Sequence, residues 1–224
     1  MEPRERLIVA LDVPSIDAAQ EMVARLGDAV SFYKIGYQLA FAGGLGYAPK
    51  LVQSGKRVFL DLKIHDIPNT AQHAVAEAAS LGAFMITVHA SGGGAMLRAC
   101  NTNTSLILGV TILTSLNDDE LTRIGFDAPP LASAVRLAKL VKESGLRGVV
   151  ASPQEIRAIR ESCGDDFVIV TPGIRPAGSD AGDQQRTMTP RDAMEAGADY
   201  IVIGRPIIAA SKPRDAAMRI IESL

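Results

Sequence analysis

Eight short apolar runs recur along the chain, and helix-like segments lie between them. The runs are rich in branched aliphatic residues, as buried strands are. Strands that alternate with helices in this way predict parallel βαβ units. The runs span Leu7–Val13, Phe32–Gly36, Arg57–Ile64, Phe84–His89, Ser105–Leu113, Gly148–Ser152, Phe167–Pro172 and Tyr200–Gly204.

This alternation predicts one α/β domain over residues 1–224, folded as a (β/α)8 TIM barrel. Roughly 250 residues are typical of such a barrel, and this chain has 224. A doubly wound open sheet is the alternative fold, and it usually carries a glycine-rich turn after its first strand. The corresponding turn here reads DVPSID and contains no glycine.

Capping residues and helix breakers predict where the helices begin and end. Pro68 is expected to end an extended run, so that Asn69 caps a helix beginning at Thr70. Residues 38–54 are predicted to be helical, although Gly43 and Gly44 weaken that pattern. Helices with a clearer pattern are expected after the capping residues Ser15 and Thr189 and over 131–143.

Composition argues against several classes of protein. Hydrophobic residues make up 47% of the chain and the net charge is −2, whereas nucleic-acid binders usually carry a basic patch. No apolar run approaches the roughly 20 residues that span a bilayer, and we expect no signal peptide. Cys100 and Cys163 have no near partner, and the histidines lack metal-ligand spacing. We therefore expect a cytoplasmic protein with free thiols that binds neither membrane nor nucleic acid.

The segment 57–70, RVFLDLKIHDIPNT, places charges inside a buried strand. At the two-residue period of a strand, Asp61 and Lys63 share a face with Phe59, and Asp66 follows just past the strand end. Charges in an apolar strand are costly unless they are paired. The segment therefore indicates either a structural ion pair or a catalytic site.

Other polar residues fall near the carboxyl ends of the predicted strands, where barrels of this kind hold their active sites. A shared position at one rim favours a pocket over isolated surface groups. Gly204 and Arg205 stand where such barrels commonly bind phosphate, although the arginine could simply cap the last strand. The remaining rim residues are Asp12, Lys34, Asp61, Lys63, Asp66, Thr114 and Arg175.

An ordered set of motifs resembles the orotidine 5′-monophosphate decarboxylase family over nearly the whole chain. A bare D-x-K-x-x-D is shared with related decarboxylases and synthases, whereas the ordered set is far more specific. The motifs are LDV at 11–13, YKIGY at 33–37, DLKIHDIPNT at 61–70, VTILTS at 110–115, TPGIR at 171–175, GDQQR at 182–186 and IGRPI at 203–207.

The resemblance implies a carboxy-lyase that makes uridine 5′-monophosphate in the last step of de novo pyrimidine synthesis, without metal or organic cofactor. It implies a homodimer with shared active sites, into which Asp66, Ile67 and Thr70 reach from the neighbouring subunit. It further implies the following roles: Lys34, Asp61, Lys63 and Asp66 form the catalytic array, Asp12 and Lys34 hold the ribose, Thr114 meets the base, and Arg175, Gln184, Gly204 and Arg205 grip the phosphate.

A mechanism follows from these charges. Loss of carbon dioxide from C6 of the pyrimidine leaves a carbanion, which the ammonium of Lys63 would stabilise and then protonate. Asp61 and Asp66 would hold Lys63 in place. The loop 176–188 is expected to close over the bound phosphate.

Two other functions stay open at this point. A sugar-phosphate decarboxylase or synthase of the same superfamily would use Mg²⁺ with an acidic ligand on the second strand, where this chain has Lys34. A non-catalytic nucleotide-binding barrel would need the phosphate grip but not the Lys–Asp array. Sensitivity to a chelator would favour the first, and nucleotide binding without turnover would favour the second.

Overall fold

Eight parallel strands close into a barrel in the computed structural model, which describes residues 1–176 and 187–224. Each strand pairs with the next, and the first pairs with the last, with Leu7 opposite Ile201. This closure confirms the predicted (β/α)8 barrel over the open sheet. The strands are β1 (Leu7–Ala10), β2 (Phe32–Ile35), β3 (Arg57–Ile64), β4 (Met85–His89), β5 (Leu106–Val110), β6 (Gly148–Val150), β7 (Val168–Thr171) and β8 (Tyr200–Ile203).

Helices connect successive strands on the outside of the barrel, and further helices precede β1 and follow β8. They are α1 (Pro3–Arg6), α2 (Ile16–Leu26), α3 (Tyr37–Phe41), α4 (Ala48–Gln53), α5 (Pro68–Ser80), α6 (Gly93–Ala99), α7 (Asp118–Arg123), α8 (Pro130–Glu143), α9 (Ile156–Cys163), α10 (Pro190–Ala196), α11 (Arg205–Ile208) and α12 (Pro213–Glu222). Short 3-10 helices span Gly44–Tyr47, Ala90–Gly92 and Pro153–Glu155. Within the described ranges no helix has the length and apolar character needed to cross a bilayer.

Capping chemistry places two helices where the sequence predicts them. The Ser15 side chain accepts a hydrogen bond from the backbone N–H of Ala18 at 3.2 Å, at the start of α2. The Thr189 side chain does the same for Asp192 at 3.2 Å, at the start of α10. Each hydroxyl satisfies a backbone donor that the first turn of a helix leaves without an intrahelical partner.

Two helix predictions were wrong in detail. Helix α5 begins at Pro68 rather than Thr70, and Asn69 is not its cap. Proline suits the first helical position because its missing N–H would have no partner there. The segment 38–54 is not one helix, because it breaks at Gly43, whose φ of 93° is in the left-handed region.

The buried side chains form two layers. A larger cluster packs between the sheet and the helices, while a smaller one fills the inside of the barrel. Phe32 is central to the inner cluster and packs edge-on against Phe84 and Tyr200, at ring-centroid distances of 5.6 and 5.9 Å. The Arg57 guanidinium lies 4.5 Å from the centre of the Phe32 ring. These residues lie at the amino ends of the strands, so the barrel is packed there and the polar residues collect at the other end.

Candidate active site

A cavity of about 270 Å³ lies at the carboxyl ends of the strands. Strands β1–β3 and the turn after β1 contribute its charged side, and β5–β7 with the residues that follow them contribute an apolar side. The charged residues are Asp12, Lys34, Asp61 and Lys63, and the apolar ones include Val110, Ile112, Val150, Ala151 and Pro172. The rest of the wall includes Thr114, Gly173, Arg175, Gly204 and Arg205.

The charged residues form a continuous chain of alternating sign. The Lys34 ammonium lies 3.1 Å from Asp12 Oδ1 and 3.6 Å from Asp61 Oδ2. The Lys63 ammonium donates to Asp61 Oδ1 at 2.8 Å. Only 14% of the Asp61 side chain is exposed, against 46% for Asp12. Asp61 is therefore the buried anion that two ammonium groups share.

The pKa of Asp61 reflects this shared position. Burial alone would raise it, but the charges of Lys34 and Lys63, with hydrogen bonds from Lys63 and Thr87, hold the pKa of Asp61 below its usual 3.8. Asp61 is thus ionised at neutral pH.

Gly36 lets the Lys34–Asp12 pair approach the backbone closely. A Cβ at Gly36 would stand 2.6 Å from Lys34 Nζ and 3.2 Å from Asp12 Oδ1. The absence of a side chain at this position, two residues after Lys34, therefore makes room for the ammonium group.

The carboxyl end of β3 departs from the regular strand that the sequence predicts. Lys63 has a φ of 47°, in the left-handed region, and is the one non-glycine residue in the described ranges with a positive φ. The pairing of β3 with β4 also shifts register between Leu60 and Ile64. Sequence periodicity gave no sign of this distortion.

Sequence reasoning also missed Thr87 and Tyr37. The backbone N–H of Lys63 donates to Thr87 Oγ1 at 2.9 Å, and the Thr87 hydroxyl lies 3.1 Å from Asp61 Oδ1. The Tyr37 hydroxyl donates to the carbonyl of Leu62 at 2.8 Å. A single polar residue inside the apolar run FMITVH was the available signal for Thr87.

Two arginines also line the cavity. Arg205 follows Gly204 at the start of α11, directly after β8. Arg175 follows β7, and its backbone N–H donates to the carbonyl of Met188 at 3.0 Å. In an eight-stranded barrel β7 lies across from β3, so Arg175 faces Lys63 from the other side of the cavity.

Three of the predicted site residues are described by the structure but do not line this cavity. Asp66 and Ile67 are exposed between β3 and α5, and Thr70 is exposed in the first turn of α5. Ile67 exposes 67% of its surface. The Asp66 carboxylate accepts a hydrogen bond from the backbone N–H of Ile67 at 2.7 Å. Gln184, together with residues 177–186 of the predicted phosphate loop, lies outside the described residues.

Two histidines lie beside the charged chain. The rings of His65 and His89 are 5.3 Å apart between centroids. Burial, followed by the proximity of His65 and Lys63, lowers the pKa of His89 below its usual 6.5. His89 is therefore neutral at pH 7 and adds no further positive charge. Among the described residues, no group of three His, Cys, Asp or Glu is placed to hold a metal ion.

A family model described as "Orotidine 5'-phosphate decarboxylase / HUMPS family" matches residues 5–220. The chain belongs to this family. It is 49% identical over 224 residues to an orotidine 5′-phosphate decarboxylase of Methylorubrum extorquens, covering 100% of this chain and 97% of the relative. A Bradyrhizobium diazoefficiens protein of the same name is 50% identical over 215 residues, covering 95% and 90%.

A solved structure of the family has the same fold. The orotidine 5′-phosphate decarboxylase of Lactobacillus acidophilus superposes with a TM-score of 0.86 at 39% identity, and the match covers 97% of each chain. The family likeness therefore extends from the motifs to the whole barrel.

Proposed function

We propose that this protein is an orotidine 5′-monophosphate decarboxylase, a carboxy-lyase that forms uridine 5′-monophosphate in the last step of de novo pyrimidine synthesis. The observation that carries the proposal is the chain of alternating charges through Asp12, Lys34, Asp61 and Lys63 at one side of the cavity. Membership of the family and the names of the relatives support the same reaction.

Lys63 is the proposed acid. The C6–carboxylate bond breaks, carbon dioxide leaves, and the electron pair stays on C6. An ammonium beside C6 stabilises that developing charge and then transfers its proton to the carbon. Lys63 regains a proton from solvent before the next turnover. Because its ammonium is already paired with Asp61 at 2.8 Å, it is held in place before the substrate binds.

Asp61 has two proposed roles. It orients the Lys63 ammonium, and it lies near the site of the leaving carboxylate, where a second anion raises the energy of the bound substrate. Lys34, which joins Asp12 to Asp61, is proposed to hold the ribose hydroxyls together with Asp12. The three residues thus connect sugar binding to the reacting carbon.

The remaining residues of the cavity suit the rest of the nucleotide. The apolar residues after β5–β7 offer a dry surface for a pyrimidine ring, with Thr114 as a polar contact. Gly204 and Arg205, with Arg175, are the proposed phosphate grip, because an arginine fork at a helix start suits a phosphate. Gln184 is proposed as a further member of this grip from the family resemblance.

We further propose a homodimer in which Asp66, Ile67 and Thr70 enter the partner's site. Exposed apolar side chains on α3 and directly before α5 support this arrangement: Ile67 exposes 67% of its surface and Phe41 exposes 87%. The partner's Asp66 would then approach Lys63 and complete the catalytic array.

Mixing two inactive variants tests the shared site. Lys63→Ala and Asp66→Asn homodimers should each be inactive, but a mixed dimer has one site with both native residues. Subunit exchange at equal amounts should restore about one quarter of wild-type activity. No recovery by subunits shown to exchange would contradict the sharing of sites.

The reaction itself is tested by ultraviolet absorbance on mixing the protein with orotidine 5′-monophosphate, with and without EDTA. Conversion to uridine 5′-monophosphate that is insensitive to EDTA supports the proposal. The position of Lys34 on β2 already disfavours the Mg²⁺-dependent relatives, since a metal site would need an anion there. A folded protein that converts only sugar phosphates, and only with Mg²⁺, would replace the decarboxylase proposal with that alternative.

We also propose that the chain works as one barrel domain in the cytoplasm. The β1–β8 pairing joins the two ends of the chain in one sheet. Cys100 and Cys163 are both free and buried, and burial raises the pKa of the Cys100 thiol to about 11. Free thiols of this kind suit a reducing compartment.

A further inference from the structure

The peptide group between Leu62 and Lys63 is held at both of its polar atoms by side-chain hydroxyls. Its carbonyl oxygen accepts from the Tyr37 hydroxyl at 2.8 Å, and its N–H donates to Thr87 Oγ1 at 2.9 Å. Because the β3–β4 register shifts across this stretch, regular ladder hydrogen bonds are interrupted here. Hydroxyls from α3 and β4 take the place of strand partners.

This peptide directly precedes a residue with a strained backbone. Lys63 has a φ of 47°, a conformation that side chains other than glycine rarely adopt. Such a conformation persists only where the surrounding structure holds it. The two hydroxyls fix the peptide plane on the N-terminal side of Lys63, and that plane determines the direction in which its side chain leaves the backbone.

Thr87 also connects the backbone of Lys63 to its ammonium group. Thr87 is fully buried, and its hydroxyl, having accepted from the Lys63 N–H, donates to Asp61 Oδ1 at 3.1 Å. The same carboxylate oxygen accepts from Lys63 Nζ at 2.8 Å. The Lys63 N–H therefore connects through Thr87 to Asp61 Oδ1, and the Lys63 ammonium binds the same oxygen directly, so the hydrogen bonds form a closed ring.

We propose that Thr87 and Tyr37 are positioning residues, which hold the Leu62–Lys63 peptide so that the Lys63 ammonium meets the reacting carbon. The inference rests on the proposed catalytic role of Lys63. Neither hydroxyl needs to touch the substrate. Their effect is on the rate of the chemical step rather than on nucleotide affinity.

Removal of the Thr87 hydroxyl at constant shape is the decisive change. Thr87→Val should lower kcat by roughly 100-fold, the effect of misplacing a reacting group by about 1 Å. The dissociation constant for uridine 5′-monophosphate, measured by calorimetry, should stay within about threefold, because ground-state binding is not affected. Thr87→Ser keeps the hydroxyl and should recover kcat to within about tenfold of wild type. Tyr37→Phe should lower kcat less, since Tyr37 is half exposed and water can replace its hydrogen bond.

Ser105→Ala is the matched control for loss of a buried hydroxyl. Ser105 donates to the carbonyl of Ala83 at 2.6 Å, near the amino ends of the strands and away from the cavity. Its kcat should equal that of wild type even if its thermal midpoint falls.

Three outcomes would overturn the inference. Thr87→Val could retain kcat, Thr87→Val and Thr87→Ser could lose kcat equally, or Thr87→Val could lose nucleotide affinity as much as rate. Lys63→Ala separates this failure from failure of the proposed function. An inactive Lys63→Ala beside an unaffected Thr87→Val contradicts only the positioning roles, whereas an active Lys63→Ala contradicts the catalytic role of Lys63 itself.

Discussion

Substitution of Gly36 by alanine tests whether the position of Lys34 matters for the reaction. The new Cβ would lie 2.6 Å from Lys34 Nζ, whereas ordinary contact begins at 3.4 Å, so the ammonium must move by about 0.8 Å. The backbone of Gly36, with φ −98° and ψ −173°, is one that alanine adopts without strain. Because Nζ is the end of a flexible chain, the fold can absorb the movement.

The electrostatic cost of that movement can be worked from the distances. At an effective dielectric constant of about 20, unit charges attract by roughly 4.6 kcal/mol at the present Lys34–Asp61 separation of 3.6 Å and by roughly 3.8 kcal/mol at about 4.4 Å. A similar loss applies to the Asp12 contact, now 3.1 Å. The attraction of the Lys34 ammonium to the two carboxylates therefore weakens by about 1–2 kcal/mol, which corresponds to a roughly 5- to 30-fold loss in kcat/KM.

The assay is steady-state decarboxylation followed by absorbance, together with thermal unfolding. Gly36→Ala should show the loss in kcat/KM with a nearly unchanged unfolding midpoint. Gly46→Ala is the matched control, because a Cβ at Gly46 meets nothing within 4 Å. Wild-type kinetics in Gly36→Ala, or equal losses in both variants, would refute the argument that a crowded ammonium impairs the site.

Three further predictions concern the phosphate grip, acid stability and structural packing. Arg205→Ala should lower kcat/KM for the nucleotide by roughly 100-fold or more but leave turnover of orotidine, which lacks the phosphate, unchanged; equal losses on both would contradict a phosphate contact. Because the folded pKa of Asp61 lies below its unfolded value of 3.8, its stabilisation is fully present above about pH 5 and is lost as the pH falls below about 4. Urea unfolding should show that the free energy of unfolding falls less steeply with decreasing pH in Asp61→Asn than in the wild type. Equal slopes in the two proteins would contradict this role of Asp61. Arg160→Ala should reduce the free energy of unfolding by about 3 kcal/mol with unchanged KM, since the Arg160 guanidinium binds Asp199 at 2.8 Å and several backbone carbonyls. A reduction of less than about 1 kcal/mol would contradict this structural role of Arg160.

The barrel could be predicted from the sequence because apolar residues recur with different periods in strands and in helices. Each change from one period to the other marks the boundary between a strand and a helix. The Ser15 and Thr189 caps were also predictable, because a Ser or Thr directly before a helical pattern of apolar residues is favoured as the N-cap of that helix. The start of α5 was not predicted correctly, because Pro68 and Asn69 are both good helix-start residues. In the structure Pro68 occupies the first position of the helix.

The charged chain was predictable in part. Asp61 and Lys63 fall two residues apart on a strand, so their shared face follows from periodicity. Lys34 lies on a different strand, and its predicted position at the same rim of the barrel, together with the motif resemblance, indicated that it shares the site with Asp61 and Lys63. The positive φ of Lys63 and the hydroxyls that hold its peptide depend on a register shift between strands. Such a shift has no local sequence pattern, so Thr87 and Tyr37 emerged only from the assembled barrel.

The most direct test of the account is turnover and nucleotide binding by Lys63→Ala. The proposed mechanism gives proton transfer at C6 to this ammonium, and it gives nucleotide affinity mainly to other residues of the cavity. Turnover should therefore fall below detection in the absorbance assay, while calorimetry still finds uridine 5′-monophosphate bound. Near-normal turnover by Lys63→Ala would contradict the account, because it would show that another group supplies the proton and stabilises the carbanion.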